Sequence, residues 1–487
     1  MKTSIRYASI ARIIGRLILI EALLMLVPLG VCLLYGESDW MAFAAAIAAA
    51  GAAGGVLEWF TRHTDTYIRG REGFIITALV WVVFGLFGLI PFMLCRTPLG
   101  FTDGMFEVIS GFTTTGASMI TDVEACSRGI LFWRAFTQWI GGLGIILFML
   151  ALLPELNKAV GISMFNAEAT GITHDKLHPR IRQTALSLWG VYCVITLMSV
   201  VLLWLGPMDL FDSVCQTFAA IATGGFSTRN EGVGWWQSDY VLVVLTGVMF
   251  VAGLNFMTLY AAWRMGLRRL WDNDVFRCFA ATVGIAWLLY VASAIIGGAP
   301  ATADRLVVYP LFHVVSAITS TGFSIAEVES WGPFSLFVTI LLMLCGGCAG
   351  STSGGIKTDR LMVLGRNFGN EIRKTVFPRR TYVVSLNGSA LQSSLVSRVS
   401  AFVSLYLLLT LLSTGIITLW GYTVTDSLFM TASCIGCNGL GYGATGVSGS
   451  YAALPAAVKW LLTFDMLAGR LEIFTLLVLL LPSFWRR

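Results

Sequence analysis

Four short polar stretches with a central glycine recur between apolar segments long enough to cross a membrane. They are Thr113-Thr114-Thr115-Gly116-Ala117-Ser118, Ala222-Thr223-Gly224-Gly225-Phe226-Ser227, Thr319-Ser320-Thr321-Gly322-Phe323-Ser324 and, more loosely, Gly436-Cys437-Asn438-Gly439-Leu440-Gly441. Threonine, serine and glycine at membrane depth expose backbone carbonyls that find no partner in lipid. Such oxygens can replace the hydration shell of a monovalent cation. Glycine suits the centre because carbonyls can be aimed inward only where the chain visits unusual φ/ψ values. One copy would be an ordinary re-entrant turn; four in register point to a shared pore.

The elements that must place these turns are visible upstream of each. Asp103, Asp212 and Asp426 each stand thirteen residues before Gly116, Gly225 and Gly439, and Tyr309 holds that place in the third copy. An aspartate there reads as the N-cap of a helix about ten residues long. Phe106, Phe312 and Phe429 share a second offset. A ten-residue helix spans only about 15 Å, so it enters the membrane halfway and leaves irregular backbone there. Four negative helix C-termini aimed at one point favour positive charge.

With 56% hydrophobic and 12% charged residues in 487, the chain is a polytopic membrane protein. Apolar runs near 13–36, 40–60, 74–95, 130–153, 184–206, 236–262, 278–297, 333–364, 399–421 and 456–482 predict ten crossings of a roughly 30 Å hydrocarbon core. The fold class is therefore all-α. Residues 1–71 form a two-helix addition in which 13–36 is a first helix, too long for a cleavable signal. Four parallel helix, pore loop, helix repeats follow over 72–155, 180–264, 275–366 and 396–487, in pseudo-fourfold arrangement. Lys and Arg crowd the loops before 13, at 62–71, 158–182, 264–277 and 357–398, and at the C-terminus. That asymmetry places these loops and both termini in the cytoplasm, and it accounts for the net charge of +5 without a nucleic-acid partner.

The glycine-rich run Gly346-Gly347-Cys348-Ala349-Gly350-Ser351-Thr352-Ser353-Gly354-Gly355 should break the eighth crossing. As a P-loop it fails, because Ile356 stands where the lysine belongs and no strand precedes it. It reads as a movable constriction on the cytoplasmic side of the turns, or else as a small-residue packing face. Asp465, Arg470 and Glu472 interrupt the last apolar run. Arg470 either faces the ion path as a positive barrier or pairs with one of the two acids. The Cys345/Cys348 and Cys434/Cys437 spacings lie in apolar runs without histidine, which disfavours zinc; a Cys95 to Cys126 bridge stays open. His63, His174, His178 and His313 show no ligand spacing. The basic segment 357–398, with Pro378-Arg379-Arg380 and Ser385-Leu386-Asn387-Gly388, is explained by topology, yet it could dock a soluble partner that acts on the constriction.

Four glycine turns, two leading helices, the 346–355 break and Gly469-Arg470-Leu471-Glu472 together resemble the Trk/Ktr/HKT superfamily of potassium transporters, and within it the TrkH-type branch. The resemblance implies a single-chain potassium pore in a bacterial inner membrane, a homodimer with one pore per subunit, and a cytosolic nucleotide-binding gating ring of TrkA type. It implies a filter of Thr114-Thr115-Gly116, Thr223-Gly224-Gly225, Ser320-Thr321-Gly322 and Cys437-Asn438-Gly439 holding the transported potassium ion, with no organic cofactor. It makes the 346–355 glycines Gly346, Gly347, Gly350, Gly354 and Gly355 a gating loop, with Arg470 beside the ion path. One departure is Leu440, where that family usually has proline after the fourth glycine.

Passive conduction is the leading reading. Sodium- or proton-coupled symport would need paired acids near the filter, and only Glu107 and Asp465 qualify, neither with an evident partner. A non-conducting scaffold would not need four polar turns, and no nucleophile, base or metal cluster suggests an enzyme.

Overall fold

The computed structural model describes residues 5–64, 70–142, 144, 181–297, 303–325, 332–446 and 450–485, and most of them are helical. The far end of the expected 130–153 crossing, the repeat boundaries at 155 and 180, and Lys158, Lys176, Arg180, His174 and His178 lie outside these residues. Among the described residues six helices are long and apolar enough to span a membrane, and a seventh if one sharply bent pair counts as a single span.

The N-terminal addition is a helix pair. Tyr7–Leu24 runs on into Leu26–Leu34, and Trp40–Thr61 packs along it. Small residues permit the close approach: a Cβ on Gly54 would lie 2.8 Å from the Gly15 carbonyl oxygen. Arg16 meets Glu58 across the same seam at 3.1 Å.

Each repeat then opens with a long helix: Gly70–Gly88, Ile181–Trp204, Asp274–Ile296 and Ser393–Thr418. A short helix follows in each, Phe101–Phe112, Leu210–Ile221, Ala303–Ile318 and Val424–Ile435. The expected start signals need correction. The helices begin three residues earlier, at N-caps Gly100, Asp209 and Thr423, so that Asp103, Asp212 and Asp426 sit in the first turn instead. Asp209 and Thr423 do the capping, accepting the backbone N–H of Asp212 and Asp426. First-turn carboxylates still suit a helix N-terminus, which carries partial positive charge. Here two of them also fix neighbours: Asp212 takes Arg229 at 2.7 Å and Asp103 takes Lys459 at 2.6 Å. Short helix three, with Tyr309 at the equivalent position, is longer and contains Pro310.

The second correction concerns the helices after the turns. The expected single break in repeat three is one of a set. The following helices Arg128–Gly142, Asp239–Ala252, Gly332–Cys345 and Ala456–Arg470 all stop after fourteen or fifteen residues. At 1.5 Å per residue that is about 22 Å, short of a full crossing. In repeat two the chain bends by 100° between Asp239–Ala252 and Phe256–Met265, with Asn255 capping the new helix. The short-helix ends crowd the following helices near their ends in repeats one and four. A Cβ on Gly141 would lie 1.9 Å from the Phe112 carbonyl oxygen, and one on Gly469 would lie 1.9 Å from that of Ile435.

The Asn387-Gly388 pair turns a hairpin, Ser385–Leu386 against Ser389–Ala390, with both turn residues at positive φ. Arg366 and the Asn387 backbone tie this segment to Asp274, at the head of the long helix of repeat three.

Candidate ion filter

The four turns share one backbone. Thr114, Thr223, Ser320 and Cys437 have φ of 57°, 54°, 54° and 50°, and Gly116, Gly225, Gly322 and Gly439 have φ of 83°, 78°, 77° and 74°. The left-handed conformation is costly for residues with a Cβ, so its fourfold repetition requires support from the surroundings. The support is a repeated hydrogen bond. The N–H groups of Thr115, Gly224, Thr321 and Asn438 donate to the Ser110, Ala219, Ser316 and Ser433 carbonyls at 2.8, 2.8, 2.9 and 2.8 Å. The fourth turn, loosest in sequence, has the same geometry as the others.

The turns close into a ring in chain order. A Cβ on Gly116 would lie 1.9 Å from the Gly224 carbonyl oxygen, and on Gly225 2.0 Å from that of Thr321. On Gly322 it would lie 1.7 Å from the Asn438 oxygen, and on Gly439 2.0 Å from that of Thr115. Each glycine thus faces the carbonyl that precedes the next glycine. Thr114, Thr115, Thr223, Ser320, Thr321, Cys437 and Asn438 are all fully buried.

A buried ion pair joins turns one and two. Arg134 Nε reaches Glu107 at 2.8 Å, with the side chains 2% and 0% exposed. Arg134 also donates to the Ser227 carbonyl at 3.1 Å and to Ser118 Oγ at 2.9 Å, while Glu107 accepts the Met119 N–H at 2.6 Å. Glu107 is thus paired with a base rather than with a second acid, and Asp465 accepts from Ser413 Oγ at 2.9 Å. Arg134 carried no signal of its own, because its acceptors lie on other elements.

The 346–355 run packs against the ends of the short helices. Thr352 Oγ1 donates to the Ile221 carbonyl at 3.1 Å, and the Gly354 N–H to Ser320 Oγ at 2.6 Å. The Cys348 N–H donates to the Gly253 carbonyl, and Asn255 Nδ2 to that of Ala349. A Cβ on Gly354 would lie 2.2 Å from the Gly436 carbonyl oxygen. Gly346, Gly350 and Gly355 take φ of 72°, 75° and 77°. The break of repeat three is thus seated on the break of repeat two. A Gly followed two residues later by an N-capping Asn was the available signal for that second break.

Arg470 closes the arrangement. Its guanidinium donates to the Thr352 carbonyl at 2.8 Å and to the Gly141 and Gly142 carbonyls, the latter at 2.8 Å. Glu472, one of its two expected acid partners, is held by Arg360. Cys95 and Cys126 are free thiols, with the Thr97 hydroxyl 3.4 Å from Cys126 Sγ.

Residues 39–486 match the model of the TrkH family of cation transport proteins. The chain belongs to the TrkH family. This TrkH-family chain is 34% identical to the Trk system potassium uptake protein TrkH of Escherichia coli (strain K12), over 99% of both chains. It is 33% identical to the Trk system potassium uptake protein TrkI of Halomonas elongata, covering 99% of this chain and 98% of that one. Its fold superposes on the crystal structure of the potassium transporter TrkH from Vibrio parahaemolyticus with a TM-score of 0.89, at 31% identity over 99% of this chain and 100% of the other. As a TrkH-family member it is a membrane protein with transmembrane helices.

Proposed function

We propose that this chain takes up potassium across a bacterial inner membrane, passively and through one gated pore per chain. Thr114-Thr115-Gly116, Thr223-Gly224-Gly225, Ser320-Thr321-Gly322 and Cys437-Asn438-Gly439 form its backbone-carbonyl filter. The observation that carries the reading is the ring of four left-handed turns, each glycine against the carbonyl of the next turn. A closed ring of backbone oxygens at membrane depth suits a dehydrated monovalent cation. The relatives named as potassium uptake proteins support potassium as that cation.

In this reading ten crossings carry four re-entrant turns, both termini are cytoplasmic, and the 346–355 run with Arg470 is the gate. A homodimer and a cytosolic nucleotide-binding ring of TrkA type complete the working assembly. Glu107 is neutralised by Arg134 and Asp465 lies with Ser413. Neither acid is paired with another, which favours passive conduction over symport.

The test is rubidium uptake into proteoliposomes holding the purified protein, under an inward-negative potential, with potassium, sodium or lithium competing. Potassium should compete far better than sodium, and Gly322→Ser should relax that preference. Absence of uptake even with the partner ring added would sink the pore reading.

A further inference from the structure

Four positions on the following helices correspond by sequence offset. Gln138, Met343 and Met466 each precede Gly141, Gly346 and Gly469 by three residues, and Met249 precedes Ala252, the last residue before its break, by three. All four are fully buried. Methionine in three repeats is adaptable apolar filling; glutamine in the fourth is a buried amide that must be satisfied. It is satisfied by turn two. Gln138 Nε2 donates to the Gly224 carbonyl at 2.6 Å, and its Oε1 accepts the Phe226 N–H at 3.2 Å.

The partner position departs in the same repeat. The residue before the ring glycine is Thr115, Thr321 or Asn438 in three turns and Gly224 in the second. Gly224 is not among the residues with positive φ, so its backbone does not demand glycine. Space does: a Cβ there would lie 2.5 Å from Gln138 Cδ and 2.7 Å from both amide heteroatoms. The amide occupies the volume that a side chain at 224 would take.

We propose that Gln138 is a positioning residue for ion selection, paired with Gly224. It holds one carbonyl of the ring from behind, and so makes repeat two the rigid, polar quarter of an otherwise methionine-backed filter. The same helix face carries Arg134, four residues earlier, whose guanidinium holds the Ser227 carbonyl of that turn. The Gly224 carbonyl, which faces Gly116 in the ring, therefore has a fixed position and shares its lone pairs with a donor. This inference rests on the filter reading above.

The experiment compares potassium and sodium as competitors of rubidium uptake in proteoliposomes, for wild type, Gln138→Met, and Gln138→Met with Gly224→Thr. Gln138→Met should still take up rubidium but lose about tenfold of its potassium over sodium ratio, the scale of one buried hydrogen bond. Adding Gly224→Thr, which restores the pattern of the other repeats, should recover most of it. A purely structural role would lower uptake for all ions alike and leave the ratio unchanged.

Should Gln138→Met not yield folded protein, Gly224→Ala tests the same pair. Its methyl group collides with the amide, so the ratio should fall, and adding Gln138→Met, which sets methionine behind a side chain at 224 as in the other repeats, should restore most of it. A ratio within about twofold of wild type in Gln138→Met, or in Gly224→Ala where that variant stands in for it, overturns the proposal; so does a loss that the second substitution fails to reverse. Wild type without any potassium preference would instead sink the filter reading itself.

Discussion

Gly322 and the Asn438 carbonyl touch so closely that a Cβ on the glycine would lie 1.7 Å from that oxygen. Because Gly322 also has a φ of 77°, any side chain there is both strained and obstructed. Gly322→Ser must therefore displace turn four, and the expected result is a potassium over sodium ratio reduced about tenfold or more. Competition of rubidium uptake reads it directly. An unchanged ratio would mean that the contact between turns three and four does not shape the filter.

The Glu107 to Arg134 pair is fully buried, so removing one partner strands the other charge. Arg134→Ala should cost about 3–5 kcal/mol, seen as a lower unfolding temperature in detergent. The double change Glu107→Gln with Arg134→Met should cost clearly less than the two single changes added together. Simple additivity would show that the two side chains are not energetically coupled.

Arg470 and Gly354 hold the 346–355 run in place from two sides. Arg470→Ala removes donors to the Thr352, Gly141 and Gly142 carbonyls, and Gly354→Ala drives a methyl group to 2.2 Å from the Gly436 oxygen. Both should loosen the run and raise rubidium flux without the partner ring by about tenfold. Arg470→Lys should not restore control, since one ammonium cannot reproduce the planar fork. Basal flux at the wild-type level in both variants would remove the run from the gate.

A loop carboxylate provides a pH signature. The Asn230 amide donates to Asp122 at 2.9 Å and holds that carboxyl below its ordinary value, while Asn230 Oδ1 accepts the Val123 N–H at 2.8 Å. A lowered folded value means that the stabilisation is complete above the ordinary aspartate range near about 3.9 and fades as pH falls through the lower folded value. Hydrogen exchange over residues 120–126, corrected for intrinsic rates, should therefore be slow at pH 6 and quicken towards pH 3, and Asn230→Ala should weaken the dependence, leaving the part due to the Ala125 and Glu124 N–H groups. Equal protection in wild type and variant across that range would discount the clamp.

Much of the four turns is legible in the sequence because their requirements are local. A left-handed glycine leaves a mark on a sequence, and so does a polar turn between membrane-length apolar runs; the left-handed Thr114, Thr223, Ser320 and Cys437 leave none. The start of the short helices was read three residues late, because an acid in the first turn and an acid at the N-cap share the same preference for the helix N-terminus. Three of the four helix breaks went unseen, since Gly141, Gly253 and Gly469 look like ordinary packing glycines until the short-helix ends that crowd them are known.

By itself the sequence determined the repeat, its register and the chemistry of its turns, all properties of neighbouring residues. Only the tertiary structure decided the order in which the turns touch, the seating of the 346–355 run, and the partners of Arg134, Gln138 and Arg470. The reason is physical. Arg470 binds Gly142 across 328 residues and Gln138 binds Gly224 across 86, and in each case the acceptor is a backbone carbonyl. Every residue carries such an oxygen, so no choice of amino acid records which one the fold will present.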